Sequence, residues 1–294
     1  MIKRIFIPGS EWLYYKIYCG PKTADYIISD IISDISNKMI SEKVITKWFF
    51  IRYTDPDIHI RVRFHFTESI NVNIILTLLH YRLEPLVDEN IIWKIQLDTY
   101  NREIERYGAD TYSLSEELFY YDSEMIAKMI GLIEGDEGEL YRWLFSLRAT
   151  DELMNDFGLN LDQKLLFVDK RYESFSREFN VDKAMLKAIS DKYRSNSAIM
   201  NSFLDRRNDA ASEYYPLIEL LNIRTEKNAG VSEQIIRIAG FDNVLNNLLN
   251  SYLHMMINRM FRTKQRLHEL MISALLRKYY MSYKAKLTKG LLTE

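Results

Sequence analysis

Cysteine is nearly absent: Cys19 stands alone among 294 residues, which excludes an internal disulfide and a cysteine-rich metal site and agrees with a reducing compartment. Charge of one sign is missing too. The 39 Lys and Arg face 41 Asp and Glu, a formal net charge of -2, so there is no global attraction to nucleic acid or to anionic membrane surfaces. Any cationic site must be local. No uncharged apolar run reaches about 18 residues, so no transmembrane helix is expected. The stretch from Met1 to Trp12 has an early Pro8-Gly9 pair and no apolar run before a small-residue cleavage site, unlike a signal peptide. These absences predict a cytoplasmic protein. There is also no P-loop, no Gly-rich dinucleotide fingerprint and no nucleophile elbow. The five histidines, His59, His65, His80, His254 and His268, lack zinc-type spacing, so no metal site is expected.

What is present is 47% hydrophobic content, enough to bury one large core or two modest ones. The first hundred residues alternate between periods of two and 3.6. Strands are predicted over Trp12 to Tyr18, Ile45 to Tyr53, Ile58 to Phe66 and Ile91 to Thr99, and helices over about Thr23 to Lys38 and Asn71 to Leu86. The order β-α-β-β-α-β is that of a ferredoxin-like unit. Thr54-Asp55-Pro56-Asp57 suits the hairpin turn. Beyond about Ser113 the pattern is helical: Ser115–Ile130, Gly138–Asp156, Leu161–Phe179, Val181–Arg194, Ser197–Leu221, Ser232–Leu249 and a last helix reaching about Tyr283. Breaks are expected at Gly131 to Gly135 and at Gly158. The fold class is therefore α+β: a ferredoxin-like unit over residues 1–112 packed with a helical lobe over 113–294. No repeat, low-complexity tract or flexible linker divides them, so one integrated unit is expected.

Three clusters carry chemistry. In Ile58-His59-Ile60-Arg61-Val62-Arg63-Phe64-His65-Phe66 the apolar residues alternate with His59, Arg61, Arg63 and His65, giving one core face and one cationic face. Residues two apart on a strand are separated by roughly 6–7 Å, so Arg61 and Arg63 have the spacing to bracket one carboxylate-bearing group. The plainer alternative is an exposed strand face whose arginines pair with helix carboxylates. The second cluster, Tyr100 to Gly108, follows the last strand and brings Arg106 near that face; an ordinary salt bridge to Glu103 or Glu105 is its alternative. In the third, Leu249, Leu253, Met256 and Met260 form an inward helix stripe with His254 beside it, in a partly buried setting where protonation is tunable. A satisfied core histidine is the alternative there.

The order and spelling of these clusters resemble the thiopeptide-type bacteriocin biosynthesis domain, the C-terminal domain of lantibiotic dehydratases. The matching pieces are Trp12-Leu13-Tyr14-Tyr15-Lys16, Trp48 to Tyr53, Asp55-Pro56, His59-Ile60-Arg61-Val62-Arg63, Tyr100 to Gly108, Ser115 to Phe119 with Asp122-Ser123, and His254 with Asn258-Arg259. They span nearly the whole chain. The resemblance implies β-elimination of glutamate from glutamylated Ser and Thr of a ribosomally made precursor peptide, leaving dehydroalanine or dehydrobutyrine. It assigns His254, Arg61, Arg63 and Arg106 as catalytic, and His59, Arg52, Tyr107 and Arg259, in the same motifs, are expected to bind substrate. The chemistry suits those residue types: arginines bind the glutamyl carboxylate, and an imidazole moves a proton, a contribution typically of about 10²–10⁴ in rate. No metal or organic cofactor is required. In full-length dehydratases a much larger N-terminal region esterifies the hydroxyls from glutamyl-tRNA; here a free-standing form is expected, with a separate glutamylating protein as partner. A homodimer is left open by the pattern. Two alternatives stand: a [4+2] cycloaddition enzyme that forms the pyridine-type ring of thiopeptides, and a non-catalytic module that binds the precursor peptide or its partner protein.

Overall fold

The computed structural model describes residues 2–133, 138–240 and 243–290. Alternating apolar residues set the N-terminal half. Strands β1 (Ile5–Phe6) and β2 (Trp12–Cys19) precede a continuous helical stretch made of α1 (Pro21–Tyr26), a π-helical turn (Ile27–Ile32) and α2 (Ser33–Ser41). Then come β3 (Ile45–Tyr53), β4 (His59–Phe66), α3 (Val72–Asp88), β5 (Ile92–Leu97), β6 (Tyr100–Asn101) and the short α4 (Ile104–Tyr107). The main sheet is antiparallel throughout, in the order β3-β4-β2-β5, while β1 and β6 form a separate two-stranded ribbon.

Period-two alternation gives the sheet two distinct faces. Ile17, Ile60, Val62, Phe64, Trp48 and Phe50 share one, all 1% exposed or less. Ile27, Ile28, Ile31 and Ile32 are equally buried; burial of each such side chain stabilises by about 1.5–3 kcal/mol. On the other face, register sets Tyr14, Lys16 and Tyr18 of β2 directly beside Arg63, Arg61 and His59 of β4.

The remaining elements are helices: α5 (Tyr112–Leu132), α6 (Gly138–Asp156), α7 (Leu161–Glu178), α8 (Lys183–Leu204), α9 (Tyr215–Ala239), α10 (Asn243–Met260) and α11 (Gln265–Thr288). Helix α5 packs on β3 and α9, α7 on α11, and α10 touches α4, α5, α6, α11 and β3. The fold is thus mixed α+β with a helical bulk. Polar ties stitch sheet and helices together. Asp25 of α1 accepts from Arg52 of β3 at 2.5 Å, from Arg142 of α6 at 2.7 Å and from Arg262 beyond α10 at 2.6 Å. Arg102 forks onto Glu116 of α5 at 2.8 and 2.5 Å.

Two predicted helix boundaries are corrected. The break between Arg194 and Ser197 does not exist, because α8 runs on to Leu204; the true interruption is the 3₁₀ segment Arg206–Ala211. Asp205 caps that segment by accepting from the Arg207 backbone N–H, and Pro216 opens α9. Nor does a helix begin at Ser232, which lies buried inside α9; that helix stops where Gly240 takes φ +70°. The expected break at Gly131 to Gly135 falls partly outside the described residues. Among the described residues no helix is long and apolar enough to cross a membrane.

Candidate active site

The inward stripe of α10 is buried as its spacing requires: Leu249, Leu253, Met256 and Met260 are all inaccessible. His254 sits at the stripe's margin with 28% of its side chain exposed, and its Nδ1 lies 2.7 Å from Oε1 of Glu269 on α11, a carboxylate only 1% exposed. A carboxylate accepts and never donates, so Nδ1 carries the proton, and Nε2 is left to exchange one with a substrate. Glu269 also accepts from Arg171 of α7 at 2.9 Å and from Arg266 at 3.5 Å. Burial alone would raise its pKa, but the hydrogen bond to His254 and the charges of His254, Arg171 and Arg266 outweigh that and hold it below the usual carboxylate range.

His254 and Glu269 open on a cavity of about 650 Å³, whose wall also includes Arg106, Arg171, Ser251 and Arg266. That is the size of a small-molecule or peptide side-chain site. Arg106 reaches it from α4, with its Nε donating to Ser251 Oγ at 3.2 Å and an arm 3.6 Å from Glu103. Gly108 fixes α4 in that place. Its φ is +75°, and a Cβ there would stand 2.8 Å from Thr111 Oγ1, so only glycine lets the chain turn from α4 into α5 at this distance.

Of the predicted site residues, the structure therefore brings His254 and Arg106 together. Arg61 and Arg63 do not line this cavity. Arg61 leans over Tyr53, 3.5 Å from the ring centroid, and donates from Nε to His59 Nε2 at 3.0 Å. Arg63 lies among Tyr14, Tyr100 and Phe49 at 4.4, 4.8 and 5.2 Å. The four residues predicted to bind substrate are interior. His59 is stacked on Tyr18 at 4.6 Å, with Nδ1 donating to the Asp57 carbonyl at 2.7 Å, and burial lowers its pKa. Arg52 is committed to Asp25 and to the Arg259 carbonyl. Tyr107 stacks on Tyr252 at 5.8 Å. Arg259 is wholly buried against Phe119, with no hydrogen-bond partner for its guanidinium among the described residues, and burial pushes its pKa down to about 10. These side chains brace the site from within.

One brace matters for geometry. Asn258, one helical turn past His254 on α10, accepts from the Arg52 backbone N–H and donates to the Arg52 carbonyl, both at 2.9 Å. The end of β3 is thereby clipped to the helix that carries His254. Two other histidines are removed from acid-base duty at neutral pH: burial drives His65 and His268 down to about 4.

The family model for the lantibiotic biosynthesis dehydratase C-terminal region matches residues 12–280, covering both sheet and helices. The chain belongs to that family. Among curated relatives, the subtilin biosynthesis protein SpaB of Bacillus subtilis is 26% identical over 277 residues, 92% of this chain but 25% of SpaB. The nisin biosynthesis protein NisB of Lactococcus lactis subsp. lactis is 32% identical over 134 residues, 45% of this chain and 13% of NisB. The chain thus spans about a quarter or less of the curated relatives it matches. Among solved structures, the tRNA-dependent lantibiotic dehydratase MibB from Microbispora sp. 107891 superposes with a TM-score of 0.70 at 19% identity, over 97% of this chain and 29% of MibB. TsrL does so at 0.64 and 11%, over 97% of this chain and 99% of TsrL, and TbtD, a pyridine synthase from thiomuracin biosynthesis, at 0.60 and 10%, over 93% and 98%.

Membership in the lantibiotic dehydratase C-terminal family places the chain in the biosynthesis of ribosomally made peptide antibiotics. The resemblance read from the motifs is therefore confirmed. Sequence reasoning missed Glu269, Arg171 and Arg266. None belongs to a motif that the chain order isolates; only the packing of α7 and α11 against α10 reveals them.

Proposed function

We propose that this protein eliminates glutamate from glutamylated Ser and Thr residues of a precursor peptide. The observation that carries the proposal is the His254–Glu269 pair sharing one cavity with Arg106. Glu269 holds the imidazole through Nδ1–H and leaves Nε2 as the atom that takes the α-proton of the esterified residue. As that C–H bond breaks, the Cα–Cβ double bond forms, the Cβ–O bond breaks, and glutamate leaves as a carboxylate. Arg106 and the positive surroundings of the cavity offset the charge that develops on the departing group. Arg61 and Arg63, which do not line this cavity, carry no step of this reading.

We read the sheet order and its two crossover helices as a ferredoxin-like unit, and the unit over 1–112 and the lobe over 113–294 as one integrated body. A separate or attached glutamylating protein supplies the substrate ester, and the reaction takes place in the cytoplasm. The test is mass spectrometry of a synthetic glutamyl-Ser peptide incubated with wild type, His254→Ala and Arg106→Ala. Wild type is expected to release glutamate, while both variants retain the ester. An ester left intact by the wild type despite demonstrated peptide binding would refute elimination in favour of cycloaddition or a binding role.

A further inference from the structure

The cavity extends well past the residues that elimination needs. From His254 its wall continues up α10 along Asn250, Asn247, Asn246 and Asn243, positions that recur at helical spacing on one face of the helix. The facing wall is α7, where Ser174, Lys170, Leu166 and Gln163 recur in the same way. Gln163 to Ser174 and Asn243 to His254 are each twelve residues, eleven rises of 1.5 Å or roughly 16 Å, the length of about five residues of extended chain at 3.3 Å each. One wall is rich in side-chain amides, which offer a donor and an acceptor together, as the peptide main chain requires. The other carries Leu166, 55% exposed, as an apolar foothold.

We propose that this limb of the cavity is a peptide subsite. It holds about five extended residues on one side of the modified Ser or Thr, reading their main chain through the amides of α10 and so tolerating varied side chains. The proposal rests on the elimination reading for the position of the reacting residue at His254, but not for the existence of the subsite. Asn250 is already engaged, accepting from Arg171 and donating to the Asn246 carbonyl at 2.9 Å, so Asn243 and Asn247 are the informative positions.

The experiment measures fluorescence-anisotropy affinity for labelled peptides built on one glutamyl-Ser unit and lengthened a residue at a time toward either end. Affinity should rise with extension in one direction only and level off after about five residues. An Asn243→Ala/Asn247→Ala double variant should lose about tenfold of that gain, as should wild type when the added residues carry N-methylated main-chain amides. Alanine favours helix, and a far-UV circular dichroism spectrum like that of wild type verifies α10. Equal affinity for short and long peptides, or a gain that the double variant retains, overturns the proposal. If wild type releases no glutamate but the length-dependent gain and its loss in the variant persist, elimination fails and the subsite stands.

Discussion

Fifteen residues separate His254 from Glu269, yet the turn from α10 into α11 brings Nδ1 and Oε1 within 2.7 Å. Removing only the charge of that carboxylate, in Glu269→Gln, leaves the imidazole free to take either tautomer. The expected result is a fall of about a hundredfold in kcat with little change in KM, read from glutamate release. A positioning role also predicts a shifted pH profile, because the low pKa of Glu269 keeps it ionised beside His254 into the acid range. A Glu269→Gln enzyme with wild-type kcat and pH profile would eliminate the dyad from the mechanism. Such a pair is invisible along the chain: Glu269 sits in an ordinary amphipathic helix, and only its burial beside Arg171 distinguishes it. Arg61 and Arg63 show the opposite limit. Their alternation was legible, but the direction each guanidinium takes depends on Tyr53, Tyr14 and Tyr100, which lie on other strands.

At the level of elements, β3 and α6 were readable to the residue, the first from a short aromatic and β-branched run before the Thr54–Asp57 turn, the second from helical spacing. The division of α8 from α9 was less so, since the interrupting segment is polar and helical itself and its signals were a capping aspartate and one proline. What no periodicity shows is which element docks on which. Asp25 answers for α1: three arginines from three other segments converge on it, and Asp25 is only 5% exposed. Burial alone would raise its pKa; Arg52, Arg142 and Arg262 prevail and lower it. A depressed carboxylate contributes stability that is present above its unfolded value of about 3.9 and is lost as pH falls through the lower folded value. Asp25→Ala should therefore cost about 3–5 kcal/mol near neutrality by stranding buried guanidinium groups. In urea titrations the gap from wild type should narrow below about pH 4; a gap that is constant with pH would show that packing, not charge, accounts for the loss.

For the whole molecule, the question is whether sheet and helices unfold as one body. Polar ties cross the boundary near residue 112, among them Asp25 to Arg142 and Arg262, Arg102 to Glu116, and Asn258 to the backbone of Arg52. Apolar contacts cross it as well, Phe49 meeting Phe119 at 5.5 Å and Tyr107 meeting Tyr252 at 5.8 Å. A sheet unfolding alone would strand buried charges on the helices, so the two should unfold together. Trp12, Trp48 and Trp93 report the N-terminal part through fluorescence, with only Trp143 beyond it, while far-UV circular dichroism is dominated by the helices. Urea curves followed by the two probes should share a midpoint and a slope. Separated midpoints, with fluorescence changing first, would mean that the sheet is an autonomous unit and that the site at α4, α7, α10 and α11 is braced by the helices alone.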